Sequence, residues 1–366
     1  MRCVNLFFHA ITDICVKLRI LNYFSMKKRK DIFRATQFPA NLRHSFTISI
    51  GRSMIKSKHI HYWPGDLHMF NELIAKTLPH VPKKLVQWAA KKYVAGETLD
   101  DAVKTVLDLT SKNLWSTVDV LGEFVNDRQQ AAAASKMSSQ VLTAIHKNDL
   151  QSGISVKLTS LGLDIDDDFC YQNLKTLVQQ ARDCNRFVRI DMENSPYTTR
   201  TLNQYKRLRA DNFSNTGAVI QAYMKRSSDD IDALAPFKTP IRLCKGIYRE
   251  AASIAFQGRE EVQNNYKKLL VQLFENNMHA AIATHDDVLL DFARDYIRKN
   301  SISKDRYEFQ MLLGVRENKR DELVKEGHRV RIYVPFGKDW YGYSLRRLKE
   351  NPEMAGTIMK AFIVGD

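Results

Sequence analysis

The chain has 366 residues, of which 44% are hydrophobic and 27% charged, with only 15 Gly and 9 Pro. This composition excludes collagen-like, low-complexity and wholly disordered chains. The formal charge is +15, and residues 1–60 carry +10 of it, since their 12 Lys or Arg face only Asp13 and Asp31. A basic head on a near-neutral body indicates either a partner for the head (an anionic lipid surface, a nucleic acid or an acidic protein) or a solvated tail.

Residues 1–60 are predicted to form a basic N-terminal segment that is either disordered or interfacial. Three charged residues interrupt its apolar stretch, which argues against a membrane span and against a secretory signal. They are Asp13, Lys17 and Arg19. Apolar residues still recur at helical spacing over residues 7–21, as in an amphipathic interfacial helix, ahead of a basic run at 27–30. Alternatively, translation starts at Met26 and the first 25 residues are not part of the protein.

The five cysteines are widely scattered, with no C-x-x-C pair. This pattern predicts reduced thiols and a cytoplasmic location, with no zinc ribbon or thioredoxin-type site. His59, His61 and His68 have no metal-ligand spacing, and we predict no metal site there.

Residues 61–112 are predicted to form a helical arm. Apolar residues between Leu67 and Leu78 are spaced for one helix face, and Pro82 opens a second helix. Thr98 is typical of a helix N-cap because Asp100 and Asp101 follow it in the first turn, where the helix dipole favours acids.

Residues 113–366 alternate short β-branched runs with longer helical stretches. The runs are 117–121, 154–158, 187–190, 218–222, 241–243, 280–283, 307–313 and 329–334. Eight such units in about 250 residues match a closed (β/α)8 TIM-like barrel, with the helical arm before it and a C-terminal helix over the active site. A doubly wound open sheet is the competing fold, but its G-x-G-x-x-G turn is absent.

Nearly every predicted strand delivers a polar side chain at its carboxyl end, where barrel active sites lie. These side chains are Glu123, Lys157, Asp191, Glu193, Gln221, Arg242, Lys245, Tyr248, Thr284, His285, Gln310 and Tyr333. The cations suit an anionic substrate or a phosphorylated cofactor. No H-E-x-x-H, G-x-S-x-G or Walker motif accompanies them, so the pattern favours a cofactor that does the chemistry itself, such as a flavin.

A C-terminal segment adds a tyrosine and two adjacent arginines at helical spacing. Tyr343 precedes Arg346 by three residues and Arg347 by four, so the three side chains can share one face. Glu350 follows at a distance from which it could hold either arginine. Paired guanidinium groups grip a carboxylate through two hydrogen bonds, although a basic helix surface is the alternative interpretation.

From about Tyr93 to Asn351 the sequence resembles the proline dehydrogenases, FAD-dependent barrels that oxidise L-proline. Eight pieces of the resemblance fall one on each predicted strand, in the same order, and a ninth lies in the C-terminal segment. The pieces are Leu121-Gly122-Glu123, Ser155-Val156-Lys157-Leu158-Thr159, Arg189-Ile190-Asp191-Met192-Glu193, Gln221-Ala222-Tyr223, Arg242-Leu243-Cys244-Lys245-Gly246-Ile247-Tyr248, Ala283-Thr284-His285, Glu308-Phe309-Gln310-Met311-Leu312, Ile332-Tyr333-Val334-Pro335 and Tyr343-Ser344-Leu345-Arg346-Arg347.

The resemblance implies a role for each matching residue. Arg346, Arg347 and Lys157 would bind the proline carboxylate. Asp191 would pair with Arg347 and help seat the substrate, while Tyr333, Tyr343 and Leu312 would pack around the pyrrolidine ring. Glu123 would pair with Arg346 and gate the site. The residues implied for FAD are Gln221, Arg242, Lys245, Thr284 and His285, with Arg242 near the flavin N5 edge.

The resemblance also implies hydride transfer from proline C5 to flavin N5, giving Δ1-pyrroline-5-carboxylate, with electrons passed to a membrane quinone. Since the chain is too short for an aldehyde dehydrogenase domain, we expect a monofunctional enzyme and a separate pyrroline-5-carboxylate dehydrogenase downstream. Residues 1–60 would supply a peripheral contact on the inner face of the membrane.

Other readings of the sequence stay open. Bifunctional relatives have Trp at the position of Arg249, so the resemblance leaves the packing of the flavin at this position open. A related flavin barrel acting on hydroxyproline or another cyclic imino acid, or a folate-linked reductase, is the alternative function. No nucleic-acid recognition module is visible, and we expect no nucleic-acid partner.

Overall fold

The computed structural model describes residues 83–122 and 124–350. Eight parallel strands close into a barrel in the order β1 to β8. The strands are β1 Trp115–Val120, β2 Ser152–Val156, β3 Val188–Ile190, β4 Thr216–Gln221, β5 Ile241–Cys244, β6 Ala280–Ala283, β7 Tyr307–Leu312 and β8 Val330–Phe336. The predicted barrel is confirmed.

Within the described residues, two helices precede the barrel, seven follow strands around it, and one comes after the last strand. They are α1 Lys83–Ala90, α2 Leu99–Ser111, α3 Arg128–Lys147, α4 Asp167–Asp183, α5 Ser195–Ala210, α6 Ser227–Leu234, α7 Arg259–Glu275, α8 Asp287–Lys299, α9 Glu317–Lys325 and α10 Trp340–Glu350. Short 3-10 turns at Ala235–Phe237 and Lys304–Arg306 lead into β5 and β7.

Helix α2 begins where the sequence predicts. The Thr98 hydroxyl accepts the backbone N–H of Asp101, and the Asp101 carboxylate accepts the backbone N–H of Thr98. This capping box satisfies two donors that an uncapped helix leaves unpaired. Other N-terminal caps come from Asp127 on α3 and Asp166 on α4.

The apolar core lies between the barrel wall and the surrounding helices. Leu174 and Leu177 of α4, for example, belong to the same buried cluster as Ile154 of β2 and Val188 of β3. Several buried strand residues are polar, and those of β2, β5 and β7 are joined by hydrogen bonds across the barrel interior. Bulky aliphatic side chains usually fill such an interior, so the polar lining marks it as part of the site.

Helix α10 is fixed at the carboxyl end of the barrel by the segment before α2. The Trp340 indole N–H donates to Glu97 at 2.9 Å, and the Gly337 N–H donates to the carbonyl of Gly96 at 2.9 Å. Ala95 N–H in turn binds the carbonyl of Pro335 at 2.9 Å. These bonds bring the predicted arginine pair of α10 to the barrel mouth.

Several predictions lie outside the described residues, namely the segment 1–60, the helix at Leu67–Leu78, the histidines 59, 61 and 68, and Glu123. Within the described part of the chain, no helix is long and apolar enough to cross a membrane. Cys170, Cys184 and Cys244 are free thiols.

Candidate active site

The predicted site residues of the strands lie at the carboxyl ends of the strands, in the loops that follow, or, for two of them, within a strand. Lys157, Asp191 and Thr284 directly follow β2, β3 and β6, and Gln221 and Leu312 end β4 and β7. Arg242 and Tyr333 lie within β5 and β8, while Lys245 and His285 begin the loops after β5 and β6.

Asp191 is the centre of a buried cluster at this end. Its Oδ1 accepts Arg242 Nη1 at 2.6 Å, and its Oδ2 accepts the Tyr333 hydroxyl at 2.9 Å. Lys157 Nζ lies 3.9 Å from the same Oδ2. The structure therefore joins four of the predicted residues directly. The resemblance paired Asp191 with Arg347, but among the described residues its partners are these three.

Arg242 is held by three strands at once. Besides Asp191, its Nε donates to Gln310 Oε1 at 2.6 Å and its Nη2 to Ser155 Oγ at 3.1 Å. Neither β2 nor β7 is adjacent to β5, so these bonds cross the barrel interior. The guanidinium also lies 5.3 Å from the centre of the Tyr333 ring. Arg242 is thus a fixed cation near the mouth.

Asp119 is a site residue that the sequence analysis missed. It lies within β1, is 2% exposed, and accepts Lys157 Nζ at 2.9 Å. Burial raises the pKa of this carboxyl, and the Lys157 ammonium opposes the rise. Asp119 falls inside a predicted strand rather than at its end, which is why a search of strand ends did not find it.

The predicted FAD residues occupy the side of the mouth formed by β4, β5 and β6. The Gln221 amide donates to the carbonyl of Glu193 at 2.9 Å. Lys245 Nζ lies 3.5 Å from the carboxylate of Asp286, whose backbone N–H binds the Thr284 hydroxyl at 3.2 Å. Asp286, which the sequence analysis did not single out, is buried and anchors the lysine.

His285 accepts the backbone N–H of Leu312 on its Nε2 at 3.0 Å. Burial lowers the pKa of His285, and the charges of Arg347, Lys245 and Arg316 lower it further, to about 3. The ring is therefore neutral at physiological pH.

The two adjacent arginines of α10 differ in their exposure. Arg347 is 7% exposed, and its guanidinium lies 5.4 Å from the centre of the buried Tyr343 ring. Arg346 is exposed. The spacing predicts that Tyr343, Arg346 and Arg347 can share one face; in the structure Tyr343 and Arg347 are buried together, whereas Arg346 is exposed.

The donors of this end of the barrel fit a flavin dinucleotide. Amide, hydroxyl and ammonium groups from three neighbouring strands suit flavin ring atoms and a diphosphate. Gly246, which follows Lys245, has φ +108°, and a Cβ there would lie 2.1 Å from the Tyr223 ring. The backbone is therefore close-packed where the cofactor donors converge. Among the described residues, no cluster of three or more acidic, His or Cys side chains could hold a metal.

Comparisons with known proteins identify the family of the chain. A family model described as Proline dehydrogenase matches residues 102–360. Proline dehydrogenase 2 of Bacillus subtilis strain 168 is 40% identical over 264 residues, which is 72% of this chain and 87% of the relative. Proline dehydrogenase of Deinococcus radiodurans is 31% identical over 280 residues, 75% of this chain and 90% of the relative.

A solved structure has the same fold. It is the crystal structure of proline utilization A (PutA) from Bdellovibrio bacteriovorus inactivated by N-propargylglycine, with a TM-score of 0.70 and 26% identity. The match covers 78% of this chain and 37% of the PutA chain, so the present chain spans little more than a third of that longer protein.

Proposed function

The chain belongs to the proline dehydrogenase family, and we propose from this premise that it oxidises L-proline by hydride transfer from C5 to FAD. The observation that carries the proposal is a single cluster at the barrel mouth. It comprises Asp191, Arg242 and Tyr333, and it is supported by the burial of Arg347 on α10, the helix whose Trp340 binds Glu97. A buried guanidinium beside the Tyr343 ring suits a small, largely apolar substrate that bears a carboxylate.

In this proposal the substrate is bound at two ends. Arg347, Arg346 and Lys157 bind its carboxylate, and Asp191 holds the surrounding cations in place. The pyrrolidine ring packs against Tyr333, Tyr343 and Leu312. A side chain as large as Tyr343 beside the pyrrolidine ring favours proline over the bulkier hydroxyproline. Glu123 gates the site by pairing with Arg346.

FAD, once bound, supplies the acceptor for the hydride and its two electrons. Gln221, Lys245, Thr284 and His285 would hold it, and Arg242 would supply a positive charge that favours the reduced cofactor. The chain's own task is alignment, since C5 must lie at near-contact distance from its acceptor. If the substrate amine binds in its neutral form, hydride transfer needs no general base, and we assign none.

The remaining proposals concern partners and organisation. Electrons pass to a membrane quinone, and a separate pyrroline-5-carboxylate dehydrogenase consumes the product. Residues 1–60 form a basic segment that contacts the inner face of the membrane from the cytoplasm, residues 61–112 form a helical arm, and residues 113–366 form the catalytic barrel. The support for the membrane contact is the net charge of +10 over residues 1–60.

The visible spectrum of the purified chain tests the proposal. We expect a flavin spectrum that bleaches on anaerobic addition of L-proline. A flavin spectrum that is unchanged by proline but bleaches with hydroxyproline or another cyclic imino acid would change the substrate we assign and keep the reaction class. A colourless protein that cannot be reconstituted with FAD would overturn the proposal.

A further inference from the structure

The hydrogen bonds of Arg242 continue away from the barrel mouth into the interior. Gln310, which accepts Arg242 Nε, donates its own amide N–H to Glu308 Oε1 at 2.5 Å. Arg331 on β8 donates to both oxygens of Glu308, at 2.7 and 2.9 Å. Gln310 and Glu308 are 6% and 3% exposed. A continuous chain of buried polar groups therefore runs from Arg331 to Arg242.

The chemistry of the groups fixes the direction of this chain. An ionised carboxylate only accepts hydrogen bonds, whereas a glutamine amide has one accepting and one donating end. Burial acts to raise the pKa of Glu308, but the Arg331 guanidinium outweighs it and lowers that pKa to about 2. Since Glu308 is ionised, the amide nitrogen of Gln310 must face it. The amide oxygen is then left for Arg242.

Three hydrogen bonds fix the plane of the Arg242 guanidinium. Its Nε, Nη1 and Nη2 each donate to a different side chain, from Gln310, Asp191 and Ser155. A planar guanidinium held at all three nitrogens cannot rotate without breaking a buried hydrogen bond. Two of these acceptors are themselves held: Tyr333 donates to the Asp191 carboxylate, and Glu308 sets which end of the neutral Gln310 amide faces Arg242.

We propose that Gln310 and Glu308 are positioning residues for the reaction: they fix the plane of Arg242 through a neutral amide oxygen, so that the guanidinium keeps its charge for the flavin. This inference rests on the proposed function, in which Arg242 stabilises the reduced cofactor. A carboxylate in place of the Gln310 amide would hold Arg242 equally well but neutralise more of its charge. The amide provides orientation without that loss.

The first test replaces the amide in the FAD-loaded full chain. In Gln310→Met we expect the midpoint potential of bound FAD to fall, and kcat for proline to fall about 10-fold or more. KM for proline should stay within about 3-fold of wild type, because the carboxylate-binding residues are untouched. Gln204→Met is the matched control. Gln204 is a buried glutamine of α5 that donates to the carbonyl of Asp167 at 2.9 Å, remote from Arg242, and its variant should keep the wild-type potential and kcat.

A second variant exchanges the two side chains, as Glu308→Gln with Gln310→Glu. The exchange preserves composition and net charge, and it moves the carboxylate next to Arg242 Nε. We expect a lower flavin potential than in Gln310→Met, with the FAD-loaded chain folded. If Gln310→Met does not fold, this exchange decides the question on its own. A merely structural role would lower Tm and leave the potential unchanged.

The outcomes separate this inference from the proposed function. Potentials equal to wild type in a chain that proline still bleaches would overturn the positioning role alone. Lowered potentials in a chain whose flavin proline does not bleach would support the positioning role and would show that proline is not the substrate. A wild-type chain that takes up no FAD would overturn both.

Discussion

Arg346 and Arg347 are adjacent in the sequence, yet the fold places them in different environments. A residue step of 100° on α10 is enough to bury one guanidinium and expose its neighbour. Hydrogen bonds to a charged group are stronger where water is excluded. The two arginines are therefore expected to contribute unequally to the binding of one carboxylate.

The corresponding prediction is a difference between two matched variants. Arg347→Met should raise KM for proline about 100-fold, and Arg346→Met about 10-fold, as expected for the loss of charged hydrogen bonds of unequal burial. FAD content, measured from the visible spectrum, should match wild type in both. Steady-state kinetics check the result, and a wild-type KM in both variants would contradict the proposal that these arginines bind the proline carboxylate.

His285 leads to a prediction about pH. Its pKa is lowered from 6.5 to about 3 by burial and by the charges of Arg347, Lys245 and Arg316. Between these values the unfolded chain binds a proton at this position that the folded chain does not. The free energy of unfolding should therefore fall as pH drops from 6.5 towards 3, by at most about 1.4 kcal/mol per pH unit from this group.

Denaturant titrations of the flavin-free chain at several pH values measure that slope. His285→Gln should flatten it between pH 6.5 and 4, while the exposed His146→Gln on α3 should not. Because carboxyl groups also titrate in this range, the difference between the variants is the informative quantity. Equal slopes for His285→Gln and wild type would show that the pKa of His285 is not lowered in the folded chain.

The site residues show which part of the chemistry a sequence can reveal. Lys157, Asp191 and Gln221 were predicted because each ends a strand, where the apolar pattern stops. Asp119 and Ser155 lie within strands, where alternation places polar residues on one face in any half-buried sheet. Only closure of the barrel makes that face an interior and brings β5 into contact with β2 and β7.

At the level of secondary structure, the strands were predictable because their apolar runs are short and bounded by turns. The run 280–283 coincides with β6, and the others differ by a few residues at their ends. The arginine exposure on α10 was not predictable, since it depends on how Trp340 and Glu97 fix that helix over the barrel. Spacing gives the face that residues share, whereas tertiary contacts decide which way the face points.

The turn after β5 carries a prediction at this scale. Gly246 has φ +108°, and its hydrogen atom faces the Tyr223 ring, so Gly246→Ala would be both strained and in steric conflict. We expect a lower Tm and weaker FAD binding, measured by thermal unfolding and by flavin titration. Gly342→Ala is the control, because Gly342 lies in α10 with no atom within 4 Å of an added Cβ. It should raise helix stability by about 1 kcal/mol and leave FAD binding unchanged.

At the scale of the whole molecule, charge is concentrated in one part of the chain. Residues 1–60 hold +10 of a total of +15. If this segment contacts a membrane, the full chain should co-sediment with anionic liposomes, and a chain lacking residues 1–60 should not. Binding should weaken as salt is added, because the attraction is screened. Equal sedimentation of both chains would end the proposal.

The pairing of β1 with β8 has a consequence for the synthesis of the protein. Arg331 of β8 donates to the carbonyl of Ser116 on β1 across a separation of 215 residues. During synthesis on the ribosome, almost the entire barrel must be made before β8, the pairing partner of β1, is available. Until then this edge of β1 is unpaired. Its free hydrogen-bonding groups and the charged lining of the half-built barrel then stay open to other chains. Closure is thus the late event that both completes the site and ends this period of exposure to aggregation.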